Sequence, residues 1–581
     1  MVHNNISEDF TSPFTDGEYG DGIKPYTLFE LDIMKVLCEI KNKVNWYQKI
    51  KSDEIRDKWI KELSSKFSET VIKYAIDELI FYIDNSPEGK LLPGPVDRTY
   101  VSDSIIPTNL QEDLINHVSK LENVPEKELD WHPGSKKQVL DLVHPSLFPV
   151  VFGETRVITD NIEPGEVLNW KSVMGTGSID NVKFKPKIES SGEFRYYNDF
   201  SLDDSYYSFK YQWLPTEIEI FSNGKAKILS YINNLHPDIH KELYTTLEKI
   251  FERIIPLINC TLTDSTSSKL DDHCERIGPS DYFNESFDEY AKRICISEGK
   301  LSDDQKKELE TTGDIKDFKL EYDYRNKIYD RYDKEKIVEP PKDIVFDPSR
   351  ILDGQKQINL NNTRLQVIVK LANIILTPDN PKYEGGVWHV EGMQNENIVS
   401  SSIYYYDQEN ISESQLDFRV SISEPDYEQD DIKGVLNTYG LVDDCALVQN
   451  IGHINTLKNR CITFPNIYQH KVQPFELLDK TKPGFRKILC FFLVDPSKRI
   501  ISTAIVPPQQ KSWFEIELKK SENKNNKLPF EIPHLISKKL GWPMSLDTAK
   551  SHREKLMEER KVFFSVETEE IFERPFSLCE H

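Results

Sequence analysis

No two cysteines in this chain stand in CxxC spacing; the 8 that occur (Cys38, Cys260, Cys274, Cys295, Cys445, Cys461, Cys490, Cys579) are scattered over 581 residues. That argues against zinc ribbons and a dense disulfide framework, and makes a reducing compartment the expected one. Basic charge is also short, with 73 Lys and Arg against 97 Asp and Glu, a net charge of −24. Such a chain repels phosphate backbones and anionic membrane surfaces, so nucleic acid and lipid are poor partners for it. No segment approaches 18 uninterrupted apolar residues, and residues 1–22 are polar and acidic, without the apolar stretch of a signal sequence. We expect a soluble, cytoplasmic protein, with the nucleus also open to it. At this length, beyond the roughly 250–300 residues at which single cores stop growing, two or more structural regions are expected.

What the chain does have is Gly385-Gly386-Val387-Trp388-His389-Val390-Glu391-Gly392. On an extended strand, residues two apart point the same way, so His389 and Glu391 are able to grip one ion together. His470, in Asn466-Ile467-Tyr468-Gln469-His470, completes two imidazoles and one carboxylate, the ligand set of non-haem Fe(II) oxygenases with open positions for other ligands. Arg486 follows at the start of an apolar, strand-like run, where a planar fork suits a dicarboxylate such as 2-oxoglutarate. His453, in the turn-like Asn450-Ile451-Gly452-His453, is the rival third ligand and reads as structural or as a support to the ligands. In Tyr404-Tyr405-Tyr406, alternation puts Tyr404 and Tyr406 on one face; we take Tyr404 as the one to touch the cosubstrate, against sheet packing for all three. Lys370 reads as a solvated strand lysine, with a carboxylate contact as the alternative, and Trp388 as wall.

From Trp388 to Pro507 the chain resembles a mostly fungal family, domain of unknown function 4246, whose core is similar to the 2-oxoglutarate/Fe(II) oxygenases. The resemblance rests on Gly386-Val387-Trp388-His389-Val390-Glu391-Gly392-Met393, Tyr404-Tyr405-Tyr406-Asp407, Phe464-Pro465-Asn466, Gln469-His470, Lys482-Pro483-Gly484 with Arg486, and Phe492-Leu493-Val494-Asp495-Pro496. Upstream Gln212-Trp213-Leu214-Pro215 and Ser230-Tyr231-Ile232-Asn233-Asn234-Leu235-His236-Pro237, and downstream Gly541-Trp542-Pro543-Met544-Ser545, extend it over most of the chain. It implies Fe(II) and 2-oxoglutarate as cofactors, dioxygen as co-reactant, His389, Glu391 and His470 as metal ligands, and Arg486 on the distal carboxylate. Glu391 departs from the commoner Asp at its place. The resemblance names no substrate; hydroxylation or demethylation with release of succinate and carbon dioxide is the expected chemistry. The alternative is a catalytically silent jelly-roll binding protein whose helical layer is its interaction surface.

The rest of the chain divides by pattern. Residues 1–25 carry clustered Asn, Ser, Asp and Gly and are expected to lack fixed structure. Residues 26–200 form a helical region, with apolar three- and four-residue spacing predicting helices over 28–50, 53–66, 68–85 and 111–121. Residues 201–260 supply a hairpin around Ser222-Asn223-Gly224 and a helix ending at Pro256. Residues 261–350 are a charge-rich insertion with short helices and no core of its own. Residues 351–510 carry the β-branched and aromatic strands, at 364–376, 398–406, 416–422, 461–464, 470–475 and 486–494, and are the expected jelly-roll core. Residues 511–581 are a C-terminal extension with a charged helix. The fold class is thus α+β, a double-stranded β-helix core with an N-terminal helical layer and a C-terminal helix.

Overall fold

The computed structural model describes residues 9–14, 23–86, 91–158, 168–179, 206–266, 276–316, 318–349, 357–425, 431–525, 535, 542–567 and 572–578. Helices and strands mix in one chain around a large antiparallel sheet. Its strands are β1 (Leu92–Pro93), β2 (Tyr100–Ser102), β3 (Val139–Val143), β4 (Thr216–Ile220), β5 (Ala226–Ile228), β6 (Thr363–Leu376), β7 (Ile398–Glu409), β10 (Arg460–Pro465) and β12 (Gly484–Val494). They run β1-β2-β10-β7-β12-β6-β4-β5, with β3 also on β6, and the sheet does not close on itself. A three-stranded sheet, β9-β8-β11, is formed by β8 (Gln415–Ser421), β9 (Val448–Asn455) and β11 (Gln469–Val472).

Alternation along the central strands gives the large sheet two apolar faces. Val367, Val369 and Leu371 of β6, Tyr404 and Tyr406 of β7, and Leu489, Phe491 and Leu493 of β12 pack with Ile250, Phe251, Ile254 and Ile258 of the helix Lys241–Thr263. The opposite face, with Ile368, Ile403, Tyr405, Cys490, Phe492 and Val494, packs with Leu416, Phe418, Val420, Ile451 and Ile454 of the smaller sheet. The candidate site residues Arg486 and Lys370 lie on this second, inner face.

Several expectations are corrected. Residues 26–200 contribute β2 and β3 to the large sheet besides their helices. The helix predicted over 28–50 stops at Lys41, and a short turn, Trp46–Lys49, follows a left-handed Asn45 with φ +54°. The helix expected to end at Pro256 runs through it to Thr263, because Leu257, Ile258 and Leu262 continue the buried stripe and outweigh a proline cost of about 3 kcal/mol. The insertion does carry a small core, in which Tyr290, Ala291, Ile294, Cys295, Ile328 and Tyr332 join its helices Phe287–Glu298 and Tyr322–Glu335. In the N-terminal stretch expected to be unstructured, Phe10 and Phe14 are buried and Ile23 bridges Ile422; its remaining positions at 1–8 and 15–22 lie outside the described residues. No helix among the described residues is long and apolar enough to cross a membrane.

Leu489 sits opposite Leu371 and Tyr404 and is fully buried. Leu489→Ala is expected to lower unfolding free energy by about 2–5 kcal/mol, read as a fall in the chemical-denaturation midpoint; a loss near zero would show that this face is not a packed core.

Candidate metal centre

Residues 385–391 lie antiparallel beside β11. The Gly386 amide donates to the Val472 carbonyl at 2.9 Å, and His389 and His470 exchange backbone hydrogen bonds, His470 N–H to His389 O at 2.9 Å and His389 N–H to His470 O at 3.3 Å. A side chain at Gly385, with φ +92°, would place its Cβ 2.8 Å from the Val472 carbonyl oxygen, so this approach requires glycine. The pairing sets the two imidazoles against each other, ring centroids 4.3 Å apart, and extended backbone turns Glu391 to the same side as His389. Glu391 Oε1 lies 3.9 Å from His389 Nε2 and 3.6 Å from His470 Nε2. One donor atom from each of the three falls within 4.8 Å of the others, the spread expected of side chains around a common ion.

The ligand atoms are prepared by their neighbours. His389 Nδ1–H donates to the Val387 carbonyl at 2.8 Å, which leaves the Nε2 lone pair facing Glu391. Burial lowers the His389 pKa to about 4, so its ring is neutral at pH 7. Burial works to raise the Glu391 carboxyl, but the nearby His470 ring and the charge of Lys370 outweigh it and bring the pKa to about 2. Asn466 clamps the Glu391 peptide from both sides: its Oδ1 accepts the Glu391 amide at 2.9 Å and its Nδ2 donates to the Glu391 carbonyl at 2.8 Å. The turn after Glu391 is closed by Glu396, which accepts the Met393 amide at 2.7 Å, the Trp213 amide at 2.5 Å and the Arg560 guanidinium of the C-terminal helix Leu546–Glu567. Arg560 in turn lies over the Trp213 ring at 4.0 Å.

Arg486 is 1% exposed on the inner face, where its Nη1 donates to the hydroxyls of Ser414 and Thr456. The guanidinium stacks over Phe475 at 4.7 Å and Tyr405 at 5.5 Å. Among the described residues it has no carboxylate partner, and its Nε has no hydrogen-bond acceptor. Burial lowers its pKa from the ordinary arginine value, the signature of a cation held without a counter-charge.

Tyr404 is a correction. It lies on the outer face among the residues packed on the helix Lys241–Thr263 and donates to Asn459 Oδ1 at 2.6 Å, whereas Tyr405 takes the inner face beside Arg486. Lys370 is half-buried on the inner face rather than solvated; burial pulls its pKa down, yet Glu391, then Cys490 and Asp141, hold it above the usual lysine value. His453 stands on β9 opposite Asp417, outside the donor cluster. Trp388 is half-buried between Arg419 and Lys471, at 4.9 and 4.8 Å, and serves as wall. Ser414 and Thr456 carried no signal in the sequence, since isolated hydroxyls far apart in the chain have none.

A family model described as a protein of unknown function (DUF4246) matches residues 54–517, and one described as its N-terminal domain matches residues 1–62. No curated protein matches. Among solved structures the chain is similar to the Fe(II)/(alpha)ketoglutarate-dependent dioxygenase TqaL, at 15% identity and a TM-score of 0.17, over 26% of this chain and 54% of that one. It is similar to IDO from Bacillus thuringiensis at 11% identity and a TM-score of 0.16, over 29% and 56%, and to AviO1 from Streptomyces viridochromogenes Tue57 at 12% and 0.13, over 23% and 54%. The chain spans little more than half the length of each.

Asn466→Ala removes both hydrogen bonds on the Glu391 peptide while leaving every donor atom in place. We expect Mn(II) affinity, followed by titration, to fall about 10- to 100-fold; an unchanged affinity would mean that the Glu391 backbone is held without Asn466.

Proposed function

The chain belongs to the DUF4246 family of proteins of unknown function, and from that membership and its inner-face geometry we propose an Fe(II)- and 2-oxoglutarate-dependent oxygenase. The observation that carries the reading is a His-Glu-His donor cluster opening on the same face as a buried arginine that has no carboxylate partner among the described residues. We read the two sheets as the halves of a jelly roll with the site between them.

The residues fit the metal they would hold. Two imidazoles and one carboxylate are the donor set of a non-haem iron site, and the Val387 carbonyl already fixes the His389 tautomer that such a site uses. When bound, Fe(II) with 2-oxoglutarate supplies oxidative decarboxylation to succinate and transfer of oxygen from dioxygen to a substrate.

The protein's part is to bind, orient and exclude water. Arg486 would hold the distal carboxylate of the cosubstrate, with the Ser414 and Thr456 hydroxyls beside it. Phe475 and Tyr405 wall the guanidinium from solvent and strengthen that pairing by keeping the local dielectric low. Phe464, edge-on to His470 at 4.9 Å, does the same for the ligand cluster. Lys370, facing Glu391, keeps the carboxylate ionised as a ligand must be. A silent binding protein leaves an arginine buried without counter-charge, a cost of several kcal/mol with no return.

Purified protein with Fe(II) and 2-oxoglutarate is expected to release succinate slowly even without substrate. His389→Ala should cut that release at least about 100-fold, and Arg486→Met should raise the KM for 2-oxoglutarate about 10- to 100-fold, the loss of a charge-assisted hydrogen bond. Succinate release at the wild-type rate from His389→Ala, or none from either protein, overturns the reading.

A further inference from the structure

A second donor cluster faces the same inner side. His132 precedes β3, Asp141 lies on β3 opposite Ala372 of β6, and His144 follows the strand's end. One donor atom from each lies within 4.8 Å of the others, as in the His389 cluster. His132 Nδ1 and Asp141 Oδ2 are 2.8 Å apart, a hydrogen bond that holds the imidazole against the carboxylate. The Asp141 side chain is 1% exposed, and its other oxygen, Oδ1, has no hydrogen-bond partner among the described residues. A buried carboxylate oxygen without a donor is costly, and an ion satisfies it. His144 is buried, and its Nδ1 accepts the Ser146 amide over 3.2 Å, one long bond with which an ion competes for that ring.

We propose that His132, Asp141 and His144 form a second divalent-cation site, of the two-imidazole, one-carboxylate type that takes Zn²⁺ or a neighbouring transition ion. It stands apart from the His389 centre, with Lys370 facing both Glu391 and Asp141. Three pieces of chain meet there. Arg553 of the C-terminal helix donates to both oxygens of Asp130, at 2.6 and 3.1 Å, and comes within 3.8 Å of Asp141. An ion at this point ties the loop at 130–132 and that helix to β3, and forms one wall of the inner face.

The test is the number of Zn²⁺ equivalents held by chelator-stripped full-length protein, read by competition with a chromophoric chelator. Wild type should hold two, His389→Ala one, Asp141→Asn one and the double variant none. His389→Ala should still gain thermal stability on adding Zn²⁺, and the double variant should not. Asp141→Asn is isosteric; if its circular dichroism shows unfolding, His132→Gln, at a half-exposed position, replaces it with the same expectation. The proposal is overturned if the folded variant holds as many ions as wild type. Loss of one ion in Asp141→Asn with none lost in His389→Ala supports this site while removing the iron reading, so the two stand or fall separately.

Discussion

Two backbone hydrogen bonds between His389 and His470 hold the candidate metal centre together. Side chains on separate segments drift by ångströms unless the main chains are registered, and a one-residue slip would turn an imidazole to the other side. Here the register is set by Gly385 and Gly386, which let residues 385–391 lie flat on β11, and by Asn466, which grips the next ligand's peptide. The donors therefore converge without any strain assigned to the donors themselves. Everything else about the centre, from the His389 tautomer to the low Glu391 pKa, is built on that registration.

The inner face also concentrates charge that a protein core ordinarily avoids. Arg486 and Lys370 lie on adjacent strands, β12 and β6, among Ile368, Tyr405, Cys490 and Phe492. Among the described residues neither has a hydrogen-bonded carboxylate, whereas Glu217, buried on β4, is matched by Arg364, Arg499 and Gln366. One structure thus treats buried charge in two ways. The Glu217 charge is neutralised by cations of the fold, whereas the Arg486 guanidinium is held by two hydroxyls and two aromatic rings.

The sequence disclosed what is local. His389 and Glu391 are legible because a period of two is a property of one strand, and Arg486 because a guanidinium interrupts an otherwise apolar run. The sheet that carries them was visible in its β-branched residues, although jelly-roll closure was not. Which face of a strand meets the site is a tertiary fact, so Tyr404 and Tyr405 exchanged roles and Lys370 proved to face inward. The strand β9 was missed because Gly452, with φ +122°, interrupts it at a bulge opposite Phe418 and Arg419. The short strand β3 was missed because its partner β6 lies far along the chain, and with it went the His132 cluster.

The link from Arg560 to Glu396 bears on how the molecule comes into being. Ribosomal synthesis delivers the His389 segment before the helix Leu546–Glu567, so Glu396 has the Met393 and Trp213 amides to accept first and gains Arg560 afterwards. The turn after Glu391 is thus closed locally before it is tied to the C-terminal helix.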